Sequence, residues 1–250
     1  MAVADRAWFC PPVDLALAGD DVHVWRAALD QPDPLVKQLA RTLSGDEWAR
    51  VERYRFERDR RRFIVARGVL RMILGCYLDA DPGRLRFGYE PHGKPYLADG
   101  FSGGTLQFNL SHSHELALYA FAHGRRIGVD LEYQRFVPDA EQIVAGFFSA
   151  REKAMWRTLR TSQRQEAFLH WWTRKEAYGK ALGDGLGQRL DQFGVSLAPG
   201  ESARLLGTAG DPESAFHWSL GSLTPARGYK AALAVEGHDW YLCFWQWQPP

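Results

Sequence analysis

A chain of 250 residues, 46% hydrophobic and 24% charged, is ordinary for a folded protein, which excludes disordered and fibrous classes and leaves room for one large domain or two small ones. The net charge of +1 points to no class of partner. Cys10, Cys76 and Cys243 are odd in number and widely spaced with no CxxC pair, which argues against a disulfide framework or a zinc cluster and suits a reducing cytoplasm. No basic N-terminal region leads into an apolar run, and the greasy segment from Val69 to Leu78 is broken by Arg71, so a soluble, cytoplasmic protein with no membrane span is expected.

Val22 and Val24 alternate with His23 and Trp25, which predicts a strand over Asp21 to Ala28 that ends before Pro32 and Pro34. Ser44 with Glu47 has the spacing of a capping box, and the stripe Trp48, Val51, Tyr54 follows it. A longer helix is predicted from Arg58 to Leu78. Its apolar side carries Phe63, Ala66, Leu70, Ile73, Leu74 and Tyr77; beside it Arg60, Arg67 and Arg71 form a basic stripe, either solvated or facing an anion. Strands are predicted at Leu85 to Tyr89, Leu106 to Leu110, Leu116 to Ala122 and Ile127 to Glu132, with Pro91-His92-Gly93-Lys94-Pro95 as a turn able to hold a phosphate. Asp139 with Gln142, Ser149 with Glu152 and Ser162 with Gln165 are three more capping-box spacings, the last opening a helix that runs to Gly183. Short strands follow at Val195 to Leu197, Phe216 to Leu220, Lys230 to Val235 and Trp240 to Trp247, and the tail tryptophans predict that this segment packs onto the body. The order predicts an α+β protein whose halves meet between Ala122 and Gly128, with residues 1–125 and 126–250 as two subdomains.

Two stretches suggest chemistry. On a helix, Glu176 and Lys180 share a face, with Trp172 one turn earlier, as a surface ion pair or as an acid and a base at a site. On a strand, Asp130 and Glu132 point the same way about 7 Å apart while Val129 and Leu131 go into the core. They form either an acidic exposed face or two ligands for one cation, and Glu176 as a third carboxylate makes a set of the hard oxygen donors that Mg²⁺ takes. His112 and His114 have HxH spacing on one predicted strand face, with no third ligand nearby for zinc, and neighbouring Ser and His point to opposite faces, against a serine nucleophile. Paired carboxylates, the Glu176 and Lys180 pair and the arginine stripe would also serve a metal-dependent nuclease or phosphodiesterase.

The blocks Phe108-Asn109-Leu110-Ser111-His112-Ser113, Ile127-Gly128-Val129-Asp130-Leu131-Glu132 and Trp172-Thr173-Arg174-Lys175-Glu176-Ala177-Tyr178-Gly179-Lys180-Ala181-Leu182-Gly183-Asp184-Gly185-Leu186 together resemble the signature set of the 4′-phosphopantetheinyl transferases, in the long, monomeric, surfactin-synthetase-activating (Sfp) type. That resemblance implies two similar α/β subdomains with antiparallel sheets packed on helices about a pseudo-twofold axis. It implies transfer of phosphopantetheine from coenzyme A to a serine of an apo acyl or peptidyl carrier protein, with release of adenosine 3′,5′-bisphosphate. By motif, Asp130, Glu132 and Glu176 would hold Mg²⁺ or Mn²⁺, Glu176 would take the serine proton and Lys180 would steady the phosphates. Coenzyme A would meet Arg50, Arg62, Gly93, Lys94, Ser111, His112 and Lys175. The carrier would dock on Phe147 and Phe148, steered by Arg151 and Lys153, and a non-catalytic carrier-protein-binding module is the second competing reading beside the nuclease or phosphodiesterase. Nucleic acid and membrane are not expected as partners.

Overall fold

The computed structural model describes residues 7–98, 105–183, 190–196, 201–208 and 212–249. In chain order the elements are β1 (Asp21–Ala28), α1 (Asp33–Ala40), α2 (Gly45–Val51), α3 (Glu57–Leu78), β2 (Phe87–Tyr89), β3 (Pro95–Leu97), β4 (Leu106–Ser113), β5 (Leu116–His123), β6 (Ile127–Tyr133), α4 (Ala140–Phe147), α5 (Ala150–Thr158), α6 (Thr161–Leu182), β7 (Phe193–Val195), β8 (Leu205–Thr208), β9 (Trp218–Leu223), β10 (Tyr229–Glu236) and β11 (Tyr241–Gln246). The fold is α+β, and no described helix is long and apolar enough to cross a membrane.

Two sheets form the middle. One has the order β11-β1-β5-β4, the other β6-β10-β9. All their pairings are antiparallel except that of β11 with β1, which is parallel, so the chain's last strand returns to the sheet of its first. The period of two along each strand sorts residues into layers. Trp25, Ala27, Tyr119 and Phe121 face α3 with Val65, Val69 and Leu74, while Val22, Val24, Leu118 and Ala120 meet Ile127, Val129, Leu131 and Leu233 of the second sheet. The other face of that second sheet offers small Ala232 and Ala234 to α6. The layers therefore run α3, sheet, sheet, α6.

Helix α6 is not the amphipathic surface helix its spacing suggests. Its first turn is exposed, but Thr173, Arg174, Lys175, Glu176, Ala177 and Tyr178 are all buried in succession, so the helix is covered on every side along this stretch. Trp171, not Trp172, is its fully buried anchor, against Phe148 and Trp156. The Ser162 and Gln165 box does not form: Gln163 accepts from the Arg160 N–H, and Gln165 instead ties down the main chain of Val137. Asp139 likewise precedes α4 without a side-chain cap.

Ser44 with Glu47 and Ser149 with Glu152 do form their boxes, and both glutamates then turn inward. Glu47 pairs with Arg67 at 2.9 Å and Arg71 at 2.7 Å, and Glu152 with Lys175 at 3.0 Å. Arg71 lies 14 residues after the start of the 22-residue α3, and Lys175 lies 14 after the start of the 22-residue α6. Each cation also reaches two carbonyls bracketing a 3-10 turn: Arg71 those of Pro82 and Leu85, Lys175 those of Leu190 and Phe193. The same brace is thus built twice, a correspondence of the two halves that no sequence repeat displays. Arg67 and Arg71 are accordingly removed from the expected exposed basic stripe.

Removing one partner of a fully buried pair leaves an uncompensated charge. Lys175→Met is therefore expected to lower unfolding free energy by about 3–5 kcal/mol in urea titrations, and adding Glu152→Gln in the same chain to recover part of that loss.

Candidate active site

Gly128, Asp130 and Glu132 occupy the face of β6 that looks at α6. A Cβ at Gly128 would stand 2.1 Å from the Ala177 carbonyl oxygen and 2.4 Å from the Ala181 nitrogen, so only glycine lets the helix lie on the strand here. This close approach brings Glu176 and Lys180 to the acidic side chains. Lys180 Nζ lies 2.6 Å from Asp130 Oδ1 and 3.1 Å from Ser111 Oγ, while Ser111 donates to the same carboxylate at 3.0 Å. Glu176, one turn earlier, is 8% exposed. Burial, with the Asp130 charge next in weight, raises its pKa from 4.5 to about 7, and Lys180 only partly opposes this. Glu132 is raised by the same two causes, opposed in part by its hydrogen bond from Ser113.

Asp130 Oδ2 and Glu176 Oε1 are buried oxygens with no hydrogen-bond partner among the described residues. Unsatisfied buried oxygens beside a third carboxylate fit a hard divalent cation. As the side chains stand, no three metal-ligating groups among the described residues are gathered round one point, and Lys180 neutralises Asp130 instead.

The group opens on a cleft of about 400 Å³ lined by Arg50, Tyr54, Phe63, Arg67, Gly93, Lys94, Ser111, His112, Glu176 and Lys180, among others. Its far end is cationic and aromatic. The Arg50 guanidinium lies 5.9 Å from the Phe63 ring centre and 5.6 Å from that of Tyr89, and Tyr54 packs against Phe63 at 5.4 Å. His112 lines the cleft, and desolvation there, then the Lys180, Arg62 and Arg67 charges, hold its pKa below the ordinary histidine value.

The chain's two halves match two family models, described as "4'-phosphopantetheinyl transferase, N-terminal" over residues 25–123 and "4'-phosphopantetheinyl transferase superfamily" over residues 126–234. It is 45% identical to 4'-phosphopantetheinyl transferase HetI of Nostoc sp., over 97% of this chain and 99% of that protein. The chain belongs to the 4′-phosphopantetheinyl transferase superfamily. It is also similar to a putative 4'-phosphopantetheinyl transferase of Synechocystis sp., 33% identical over 80% of this chain and 78% of that one, and to Sfp of Bacillus subtilis, 28% identical over 62% and 66%. The protein is thus an enzyme of the Sfp-like transferase class.

For a phosphopantetheinyl transferase several expected contacts are displaced. Lys175 is not at hand for a phosphate, because its ammonium is spent inside the brace with Glu152. Arg62 does not line the cleft; it grips Asp30 with two bonds, at 2.8 and 3.0 Å, beside Glu115. Lys94 lines the cleft, yet its ammonium reaches the carbonyls of Ile127 and Ala181 at 3.4 and 3.3 Å, clamping β6 to the end of α6, and burial lowers its pKa. Phe148 is a core residue under Phe168 and Trp171, whereas Phe147 is 53% exposed. His114 has left the strand with φ of +53° and stacks on Tyr133, so it does not share a face with His112. Asp184, Gly185 and Leu186 lie outside the described residues, as does Leu197. The reading from sequence missed Tyr54 and Phe63 as cleft walls and Asn109 and Ser113 as partners of β6, although the alternation of Asn109, Ser111 and Ser113 along one strand face was a usable signal.

The raised pKa of Glu176 has a consequence for stability. The folded metal-free protein binds this proton more tightly than the unfolded chain does, so the stabilisation is complete below pH 4.5 and is lost as pH rises through about 7. Glu176→Gln is expected to match wild type near pH 4 and to exceed it by up to about 3 kcal/mol at pH 8 in metal-free denaturant titrations.

Proposed function

We propose that this enzyme transfers the 4′-phosphopantetheine group of coenzyme A to a serine hydroxyl of an apo acyl or peptidyl carrier protein, releasing adenosine 3′,5′-bisphosphate. The observation that carries the reading is the pairing, across one cleft, of arginine and aromatic side chains with Glu176 and Lys180, behind which the Asp130 and Glu132 charges of β6 act on Glu176. A planar base and phosphates suit the first, and a reacting pyrophosphate suits the second. No residue here needs to be a nucleophile. The carrier's serine oxygen forms a bond to the phosphorus nearest the pantetheine, the bond from that phosphorus to the bridging oxygen breaks, and the electron pair leaves with the nucleotide.

Glu176 takes the serine proton at its carboxylate oxygen, a role supported by its place in the cleft one helical turn from Lys180. Lys180, paired with Asp130 in the resting site, turns to hold the leaving phosphate, a task for a mobile point charge. Asp130, Glu132 and Glu176 would hold Mg²⁺ or Mn²⁺, which when bound supplies charge neutralisation to the pyrophosphate. Arg50, His112 and Ser111 bind the anionic parts of coenzyme A, with Gly93 and Lys94 closing the cleft beside them; the left-handed φ of +84° at Gly93 brings that backbone near. Exposed Phe147 receives the carrier, with Arg151 and Lys153 on the next helix to steer an acidic partner. In this reading residues 1–125 serve the nucleotide and 126–250 the metal, base and carrier, and the protein works as a cytoplasmic monomer.

Intact mass of an apo carrier incubated with the enzyme, Mg²⁺ and coenzyme A is expected to rise by one phosphopantetheine group, and chelation of the metal to stop it. Glu176→Gln and Lys180→Ala are each expected to slow the transfer at least about 100-fold. Undiminished transfer by Glu176→Gln, or cleavage of nucleic acid with coenzyme A left intact, would overturn the proposal.

A further inference from the structure

The edge of the second sheet is sealed in an unusual way. The N–H groups of Val129, Leu131 and Tyr133 on β6 are bonded by side chains of β4: Asn109 Oδ1 at 2.8 Å, Ser111 Oγ at 3.2 Å and Ser113 Oγ at 3.1 Å. Three side chains at a period of two thus replace a main-chain ladder where the two sheets meet. The two serine rungs each have a proton to spare, and both spend it on the carboxylate one residue earlier in β6. Ser111 donates to Asp130 Oδ1 at 3.0 Å and Ser113 to Glu132 Oε2 at 3.0 Å.

A hydroxyl that accepts from a fixed backbone N–H has its own O–H direction restricted, so it holds a carboxylate at a set orientation. Asp130 is buried and also gripped by Lys180. Glu132 is only half-buried, has three rotatable bonds, and stands next to the exposed Tyr133; among the described residues the hydrogen bond that fixes it is the one from Ser113. From this we infer that Ser113 is a positioning residue of the reaction: through its bridge between the Tyr133 N–H and Glu132 it confines the glutamate to the face of β6 that carries Asp130, from which a short side-chain turn brings it to a cation. The inference rests on the metal reading of Asp130, Glu132 and Glu176.

Mn²⁺ binding to the full-length protein, followed by the electron paramagnetic resonance signal of the free ion, tests it. Glu132→Gln is expected to weaken binding, and Ser113→Ala to raise the dissociation constant about 10-fold or more. Ser113→Thr, which keeps the hydroxyl, is expected to restore most of the affinity. In the transfer assay Ser113→Ala should need more Mg²⁺ for half-maximal rate while approaching the wild-type rate at saturating metal. A Ser113→Ala protein that melts earlier yet binds Mn²⁺ like wild type, while Glu132→Gln is weakened, overturns the inference and leaves the metal reading standing; so does Ser113→Thr behaving like Ser113→Ala. If wild type and Glu132→Gln bind Mn²⁺ equally, the metal reading itself fails.

Discussion

Helix α6 lies directly on strand β6, and the missing side chain at Gly128 is what permits it. With any Cβ there the helix would have to lift off its carbonyl at Ala177, and Glu176 and Lys180 would move away from Asp130. The reactive group is therefore a product of backbone proximity between two rigid elements. Lys94 reinforces that proximity from the other side by reaching Ile127 and Ala181 together. A lysine that looks like a ligand contact in sequence thus also works as a clamp.

The burial of α6 sets the electrostatics. The stretch of α6 covered on all sides carries Arg174, Lys175 and Glu176, and each of these charges must be satisfied or shifted. Arg174 is satisfied by Ser196 and Ser222, and Lys175 by Glu152 and two carbonyls. Glu176 is left with an orphaned oxygen and a carboxylate neighbour, so its proton is held to about pH 7. Arg174 and Lys175 are thus satisfied and Lys180 is paired with Asp130, whereas Glu176 keeps an unpartnered oxygen. The brace of Glu47 with Arg71 in the other half shows the same structural device without a reactive group beside it.

The seam between the sheets gives the acidic strand a second support. Asn109, Ser111 and Ser113 satisfy one edge of β6 while the serines orient its acids, so the contact that joins the halves also arranges the site. Cleft and carboxylates belong to one interface, which explains why Ser111 and His112 from the first sheet and Glu176 and Lys180 from α6 line a single cavity.

Much of this was legible in the residues, because local spacing carries it. Period two placed Asp130 and Glu132 together and Val129 and Leu131 in the core; a four-residue interval placed Glu176 and Lys180 on one face; Ser and Glu at capping distance marked α2 and α5. The motifs and their order also identified the family. What spacing does not carry is which side of an element ends up covered. The family motif makes Lys175 a phosphate contact, an apolar run makes Phe148 a docking residue, and Arg67 and Arg71 read as a stripe solvated or facing an anion, yet each side chain is held by a partner from another element: Glu152, Trp171 or Glu47, with Arg67 still lining the cleft. The return of β11 to pair with β1 is equally nonlocal. The sequence by itself determined the elements, the chemistry of the donors and the family; only the tertiary structure decided which charges became framework and which became site, since burial and pairing depend on elements that meet only when the whole chain has folded.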